Sequence, residues 1–292
     1  MTIIRNENET HILLTCLRNI TLFFAVINLF IGFFMPQGIP SFSTGRTAYF
    51  LYGNVNAILR SLMPGLCCSL VLDAKKGKTF SVSTLLLLLS FFYFCFNVYF
   101  MATGFVGIMT VVGWFVFRKI LKTNYKTAYL LVIAAVAFVE IMVVFLFGDS
   151  EYGAFISDLF MKKGFSGREA LWSNILYFIP QKIMMGFGFL TKESLETFVG
   201  NKFGCHNYYL DLVFQRGLLG TLPLLLLFVT SLFVKKKKIN ESTCVLLGFC
   251  SSYLAMFLME PFLGTEMLHL PIFCITMSLL LKNDETKSTI TQ

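Results

Sequence analysis

Apolar positions run through this chain almost without pause, and short basic or glycine-rich segments punctuate them at regular intervals. The apolar runs cover residues 12–34, 55–72, 81–117, 129–147, 208–234, 244–259 and 267–281. A helix needs about 20 apolar residues to cross a hydrocarbon layer of about 30 Å, so runs of this kind predict membrane spans. Residues 81–117 carry no charge and would form a single helix of about 55 Å, too long for one crossing. Lys75, Lys76 and Lys78 precede that run, and Arg118, Lys119, Lys122 and Lys126 follow it. One crossing would put one of these clusters outside, against the preference of basic loops for the cytoplasm. The pattern therefore predicts two spans there, joined by an outer turn near residues 97–104. Polar residues precede the first run, which is too long for a cleaved signal and reads as a retained span.

Eight spans with both termini inside satisfy every basic cluster, including the four lysines at 235–238. The expected fold is all-α: a polytopic integral membrane protein forming a single membrane domain over residues 1–292. One large extracytoplasmic loop, residues 149–207, lies between the fifth and sixth spans.

Composition sharpens this picture. Of the 292 residues, 56% are hydrophobic and only 14% charged, against roughly a quarter charged in soluble domains. The net charge of +8 comes from lysines and arginines clustered between apolar runs, and no groove alternating basic and aromatic residues is legible, so nucleic acid is not an expected partner. Seven of the eight cysteines lie in apolar runs, where cysteine serves as a small hydrophobe. Cys205, beside His206, is the exception, a weak thiol-nucleophile candidate because consecutive side chains point apart. No Cys/His spacing, acidic pair or histidine cluster suits a metal; neither metal nor cofactor is expected.

The long polar interval holds the candidate chemistry. Ser166 and Glu169 have the spacing of a capping box. After them Leu171, Trp172, Ile175, Leu176 and Ile179 share one helical face, and Pro180 follows. This predicts a short amphipathic helix on the membrane surface with Trp172 at headgroup level. Arg168 falls in its first turn, where backbone N–H groups favour anions and a guanidinium can grip a phosphate. The alternative is a pairing with headgroups or a nearby acid. Gly186-Phe187-Gly188-Phe189 reads as a tight outer turn.

Of the three histidines, His206 alone sits among polar neighbours at the mouth of a span, where it can take a proton from a hydroxyl near neutral pH. The bland reading is an ordinary interfacial residue. Arg60 and Arg216 lie inside the second and sixth expected spans, where charges usually face a bundle interior or a cavity. With Arg168 they would make a cationic site for a pyrophosphate; otherwise they snorkel to headgroups. Glu140, within the fifth expected span, reads as a counter-ion for one of them or, alternatively, as a protonated structural residue.

Ser-Gly-Arg-Glu-Ala-Leu-Trp (166–172), Gly-Phe-Gly (186–188) and His-Asn-Tyr-Tyr-Leu-Asp (206–211), followed by Gly-Leu-Leu-Gly (217–220), occur in an order that resembles the O-antigen polymerase/ligase family. Gly53-Asn54-Val55-Asn56 is similar to a Gly-Asn-Pro-Asn element of that family. The resemblance covers about residues 53–281, with its specific motifs in 164–220. It implies a GT-C-like membrane fold on which an inverting, metal-independent glycosyltransferase joins polyprenyl-pyrophosphate-linked repeat units into a surface polysaccharide such as capsule or O-antigen. A ligase that moves finished glycan to a lipid or wall acceptor uses the same motifs, and a flippase or other transporter is the reading from another class.

By resemblance His206 and Arg168 are catalytic, while Asn207, Tyr208, Arg216 and Arg60 bind substrate. The implied setting is a bacterial inner membrane with the site facing the periplasm or outside. Membrane lipids, the carrier-linked glycan, a chain-length regulator and a flippase are the implied partners. Two features depart from the family: fewer spans than its usual ten to twelve, as in a short or truncated member, and Thr103-Gly104-Phe105 where a Ser-Arg pair is common.

Overall fold

A computed structural model describes residues 7–39, 49–51, 53–96, 101–142, 168–234, 236–260, 262 and 264–281. Among them the chain is helical apart from a minimal antiparallel ladder, β1 (Tyr49–Phe50) against β2 (Gly53–Asn54). The helices are α1 (Glu7–Phe34), α2 (Val55–Lys75), α3 (Val82–Phe96), α4 (Ala102–Val116), α5 (Arg118–Ile141), α6 (Arg168–Phe178), α7 (Lys192–Val199), α8 (Tyr208–Phe233), α9 (Glu241–Met256) and α10 (Leu270–Leu281). Four segments, Asn8–Phe34, Ala57–Lys75, Arg118–Ile141 and Tyr208–Phe233, are long and apolar enough to cross a membrane. The chain thus has the helical make-up of a membrane protein. Residues 81–117 form two helices, α3 and α4, as their length demanded.

Several boundaries differ from the sequence expectation. Helix α5 begins at Arg118, inside the basic segment, and bends at Asn124, where φ is −112° and ψ is 21°. Helix α10 starts at Leu270, after a 3₁₀ turn over Glu266–Leu268. The first half of the expected outer turn at 97–104, the end of the expected fifth span and the first part of the outer loop lie outside the described residues.

The chain divides into two compact units: Met1–Tyr125, Lys236–Ser252 and Met267–Gln292 form one, and Lys126–Lys235 with Tyr253–Glu266 the other. In the first, helices approach over small residues, the usual solution where lipid removes the hydrophobic drive for helix association. A Cβ on Gly65 would lie 2.3 Å from Thr21 of α1, one on Gly32 2.6 Å from Tyr93, and one on Gly248 2.5 Å from Trp114. Buried Asp73 accepts from the Ser81 amide at 2.9 Å and the Thr84 hydroxyl at 2.6 Å, tying the end of α2 to the start of α3.

The same unit gathers three basic segments at one end. Buried Arg118 donates to the Lys78 carbonyl at 2.8 Å and to Glu241 at 3.0 Å, and Lys122 reaches Glu241 at 3.2 Å. The Ile239 amide donates to the Lys122 carbonyl, and the Tyr125 hydroxyl to that of Lys236. Segments that the charge pattern assigns to one side of a membrane are therefore joined by direct bonds.

Arg60 lies in this first unit, on α2 and half-buried. The other site residues named from the sequence, Arg168, His206, Asn207, Tyr208 and Arg216, all belong to the second unit.

Candidate functional site

The second unit is organised by a break in α8. Gly217 has φ 64° and ψ −175°, conformations that only glycine adopts readily. Position 217 lies roughly 14 Å along the helix from its start. The expected uninterrupted sixth span is therefore two helical segments. A broken helix in an apolar setting needs other partners for the backbone groups it diverts, and residues 183–188 supply them. The Phe187 and Gly188 amides donate to the Phe214 and Gln215 carbonyls, each at 2.9 Å. In the other direction, Leu218 donates to Ile183 at 2.8 Å and Leu219 to Met184 at 3.1 Å.

Gly186 and Gly217 meet back to back. A Cβ on Gly217 would lie 2.3 Å from the Met184 carbonyl oxygen, and one on Gly186 2.5 Å from the Gln215 backbone. The Gly-Phe-Gly turn and the start of the Gly-Leu-Leu-Gly step, which lie apart in the sequence, form one joint.

At this joint Gly188, Phe189, Gln215, Arg216, Gly264 and Glu266 line a cleft of about 170 Å³. Arg216 forms an ion pair with Glu266. The hydroxyl of Tyr208, whose ring is buried against Phe257 at 4.5 Å, lies within electrostatic range of both charges. Glu266 was not anticipated; its only sequence signal is an acid in the short turn between the last two apolar runs.

The loop that enters α8 is unusual. His206 has φ 58° and is the one non-glycine with positive φ among the described residues. This left-handed conformation costs on the order of 1–2 kcal/mol for a residue with a Cβ. The loop is held on both sides: the Trp172 indole donates to the Cys205 carbonyl at 2.9 Å, and the Cys205 amide donates to Asp211 at 3.2 Å. Gly204 makes room, since a Cβ there would lie 2.6 Å from the Asp211 carboxylate. Cys205 is fully buried, and burial pushes its thiol well above the ordinary value. A thiol so held is no nucleophile.

Asn207 is the N-cap of α8, its Oδ1 accepting from the Leu210 amide at 3.1 Å. Its Nδ2 donates to both Glu140 oxygens, at 3.0 and 2.9 Å. Two expectations change here. Glu140 is partnered by this amide rather than by an arginine, and Arg216 takes Glu266 instead. Asn207 is fully buried with both ends of its amide engaged, so its side chain caps α8 instead of facing a substrate as expected.

Helix α6 carries the apolar face read from the sequence, but that face meets protein. Trp172 is 2% exposed and Ile175 fully buried, in a cluster with Val199, Cys205, Leu210 and Phe214. The expected headgroup position of Trp172 is thus corrected: its ring fills this core and its N–H is used internally, as buried tryptophans require. Ser166 of the proposed capping box lies outside the described residues. Arg168, half-buried in the first turn, donates to the Met259 carbonyl at 2.8 Å. It sits one turn before Trp172, the residue that grips the peptide adjoining His206.

Fold and site together describe a helical protein, with four helices long and apolar enough to cross a membrane, in which a cleft opens at a glycine-lined helix break. No family model, curated protein or solved structure matches this chain.

Proposed function

We propose that this protein is a polytopic membrane glycosyltransferase that polymerises polyprenyl-pyrophosphate-linked oligosaccharide units into a surface polysaccharide. In this reading the described helices belong to an eight-span, GT-C-like fold in a bacterial inner membrane. The basic segments joined through Arg118 and Glu241 face the cytoplasm, and the loop over residues 149–207 faces outward.

The observation that carries the reading is the joint at Gly217, where Gln215, Arg216 and Glu266 line a cleft beside a mostly apolar helix. Broken backbone at membrane depth is tolerated where it lines a cavity, and charged residues there mark substrate paths. At the start of the same helix stands His206, in a conformation held by its neighbours on each side.

The acceptor sugar hydroxyl attacks the anomeric carbon of the donor. The new glycosidic C–O bond forms as the bond to the pyrophosphate oxygen breaks. His206 takes the hydroxyl proton, and polyprenyl pyrophosphate leaves with the bonding electrons. Arg168, anchored through the Met259 carbonyl, stabilises the charge on the departing oxygen, where fixed cations act most strongly. Inversion at the anomeric carbon follows from direct displacement.

The helix break also favours a second reading, a carrier of lipid-linked glycan, because transporters commonly bind substrate at discontinuous helices. Glycan sizing in cells lacking the gene separates the possibilities. Single repeat units at the surface support polymerisation. Long carrier-linked chains that never reach an anchor indicate ligation, and repeat units trapped on the cytoplasmic side indicate transport.

A further inference from the structure

The cleft at the helix break has a chemistry of its own. Arg216 was expected to help hold a pyrophosphate, yet its guanidinium is joined to the Glu266 carboxylate and the pair is electrically neutral. A polyanion entering here would have to displace Glu266 and remain beside a like charge. A sugar hydroxyl, which donates and accepts at once, can bridge the two groups without separating them. Gln215, adjacent in the wall, adds an amide of the same dual character.

The lining also includes an apolar plane. Phe189 is 89% exposed although it follows directly on the Gly186–Gly188 joint. An aromatic face at the edge of a polar cleft matches the C–H face of a pyranose. Gly188 and Gly264 complete the lining, and a Cβ on either would meet no protein atom within 4 Å. The cleft's volume of about 170 Å³ admits a monosaccharide ring.

We infer that this cleft is a saccharide subsite, in which Phe189 stacks on one neutral sugar ring while Arg216, Glu266 and Gln215 bind its hydroxyls. The inference rests on the glycosyltransferase reading for its biological setting and on the cleft alone for its chemistry. It separates recognition of a sugar, at the break in α8, from the leaving-group chemistry assigned to Arg168. It also predicts discrimination: a hexuronate, whose carboxylate would face Glu266, binds more weakly than the matching neutral hexose.

The test is direct binding to the purified full-length protein in nanodiscs. Saturation-transfer NMR is recorded with methyl glycosides of hexoses, 6-deoxyhexoses, N-acetylhexosamines and hexuronates, and inorganic pyrophosphate serves as competitor. The expected result is binding of at least one neutral glycoside, unaffected by pyrophosphate, weakened tenfold or more by Phe189→Ala and retained in Phe189→Tyr. Glu266→Gln is expected to weaken the glycoside severalfold and to remove the discrimination against hexuronate.

Binding of no glycoside at millimolar concentration overturns the inference. So does displacement of the glycoside by pyrophosphate, or a Phe189→Ala variant that binds as wild type does. Because binding needs no turnover, the two readings fail separately. Glycoside binding with normal glycan lengths in the deletion strain discards the polymerase and keeps the subsite, and the converse pattern discards only the subsite.

Discussion

Replacing Gly217 by alanine tests the joint on which the site depends. Its backbone lies in a region that costs other residues on the order of 1–3 kcal/mol. The new Cβ would also lie 2.3 Å from the Met184 carbonyl oxygen, a backbone atom that cannot rotate away, and such overpacking costs about 1–3 kcal/mol more. Against this roughly 2–6 kcal/mol stand the four hydrogen bonds between residues 183–188 and the break. At about 0.5–1.5 kcal/mol net each, they total roughly the same.

The cheapest response is therefore to straighten the helix. The Leu218 and Leu219 amides can turn to the Phe214 and Gln215 carbonyls one turn back, which releases the 183–188 segment. Hydrogen exchange read by mass spectrometry distinguishes this from general destabilisation. Amides at Phe187 and Gly188 should exchange about a hundredfold faster, the equivalent of about 3 kcal/mol, while those at Leu218 and Leu219 stay protected. Unchanged protection at Phe187 and Gly188, or equal loss at all four amides, would refute this account of the break.

Three further outcomes are expected. Trp172→Phe keeps most of the ring but leaves the buried Cys205 carbonyl without the indole donor, so the thermal midpoint in detergent should fall by an amount corresponding to about 1–3 kcal/mol; an unchanged midpoint would show that this bond does not hold the His206 loop. Asn207→Ala should cost about 1 kcal/mol for the cap and more for the abandoned Glu140 carboxylate, and Asn207→Asp, which places a second carboxylate beside Glu140, should be worse by the same assay. Burial raises the pKa of Glu241, which precedes the apolar run of α9, but hydrogen bonds and charge from Lys122 and Arg118 outweigh it and hold the carboxylate below its ordinary value. Its contribution is therefore present above the unfolded value of about 4.3 and is lost as pH falls through the lower folded value. Wild type should exceed Glu241→Gln in stability at neutral pH and converge with it in acid; a constant gap would contradict the ion pair.

Much of the helical layout was legible from run length and charge. The uncharged stretch at 81–117 could not be one helix, and Asn207 before Tyr208 marked where α8 begins. The joint was less legible. Gly186 and Gly217 both signal positive φ or close approach, but nothing local says that they meet each other. The partner of Arg216 was hidden for the same reason, since Glu266 is distant in sequence and reaches it only through the fold. Helix α6 shows another limit: an apolar stripe reveals that a face is covered without revealing by what, and here the cover is the loop around Cys205 and the start of α8. Hydrophobic pattern fixes faces, whereas pairings between turns depend on tertiary contacts that periodicity does not encode.

The most direct test of the proposed function uses purified protein in proteoliposomes with carrier-linked oligosaccharide isolated from the deletion strain, and measures the length of the carrier-linked product. Wild type should convert single units into longer chains with release of polyprenyl pyrophosphate, and His206→Ala and Arg168→Gln should leave single units. Chains made equally well by His206→Ala would contradict the site, and single units unchanged by wild type would contradict the enzyme.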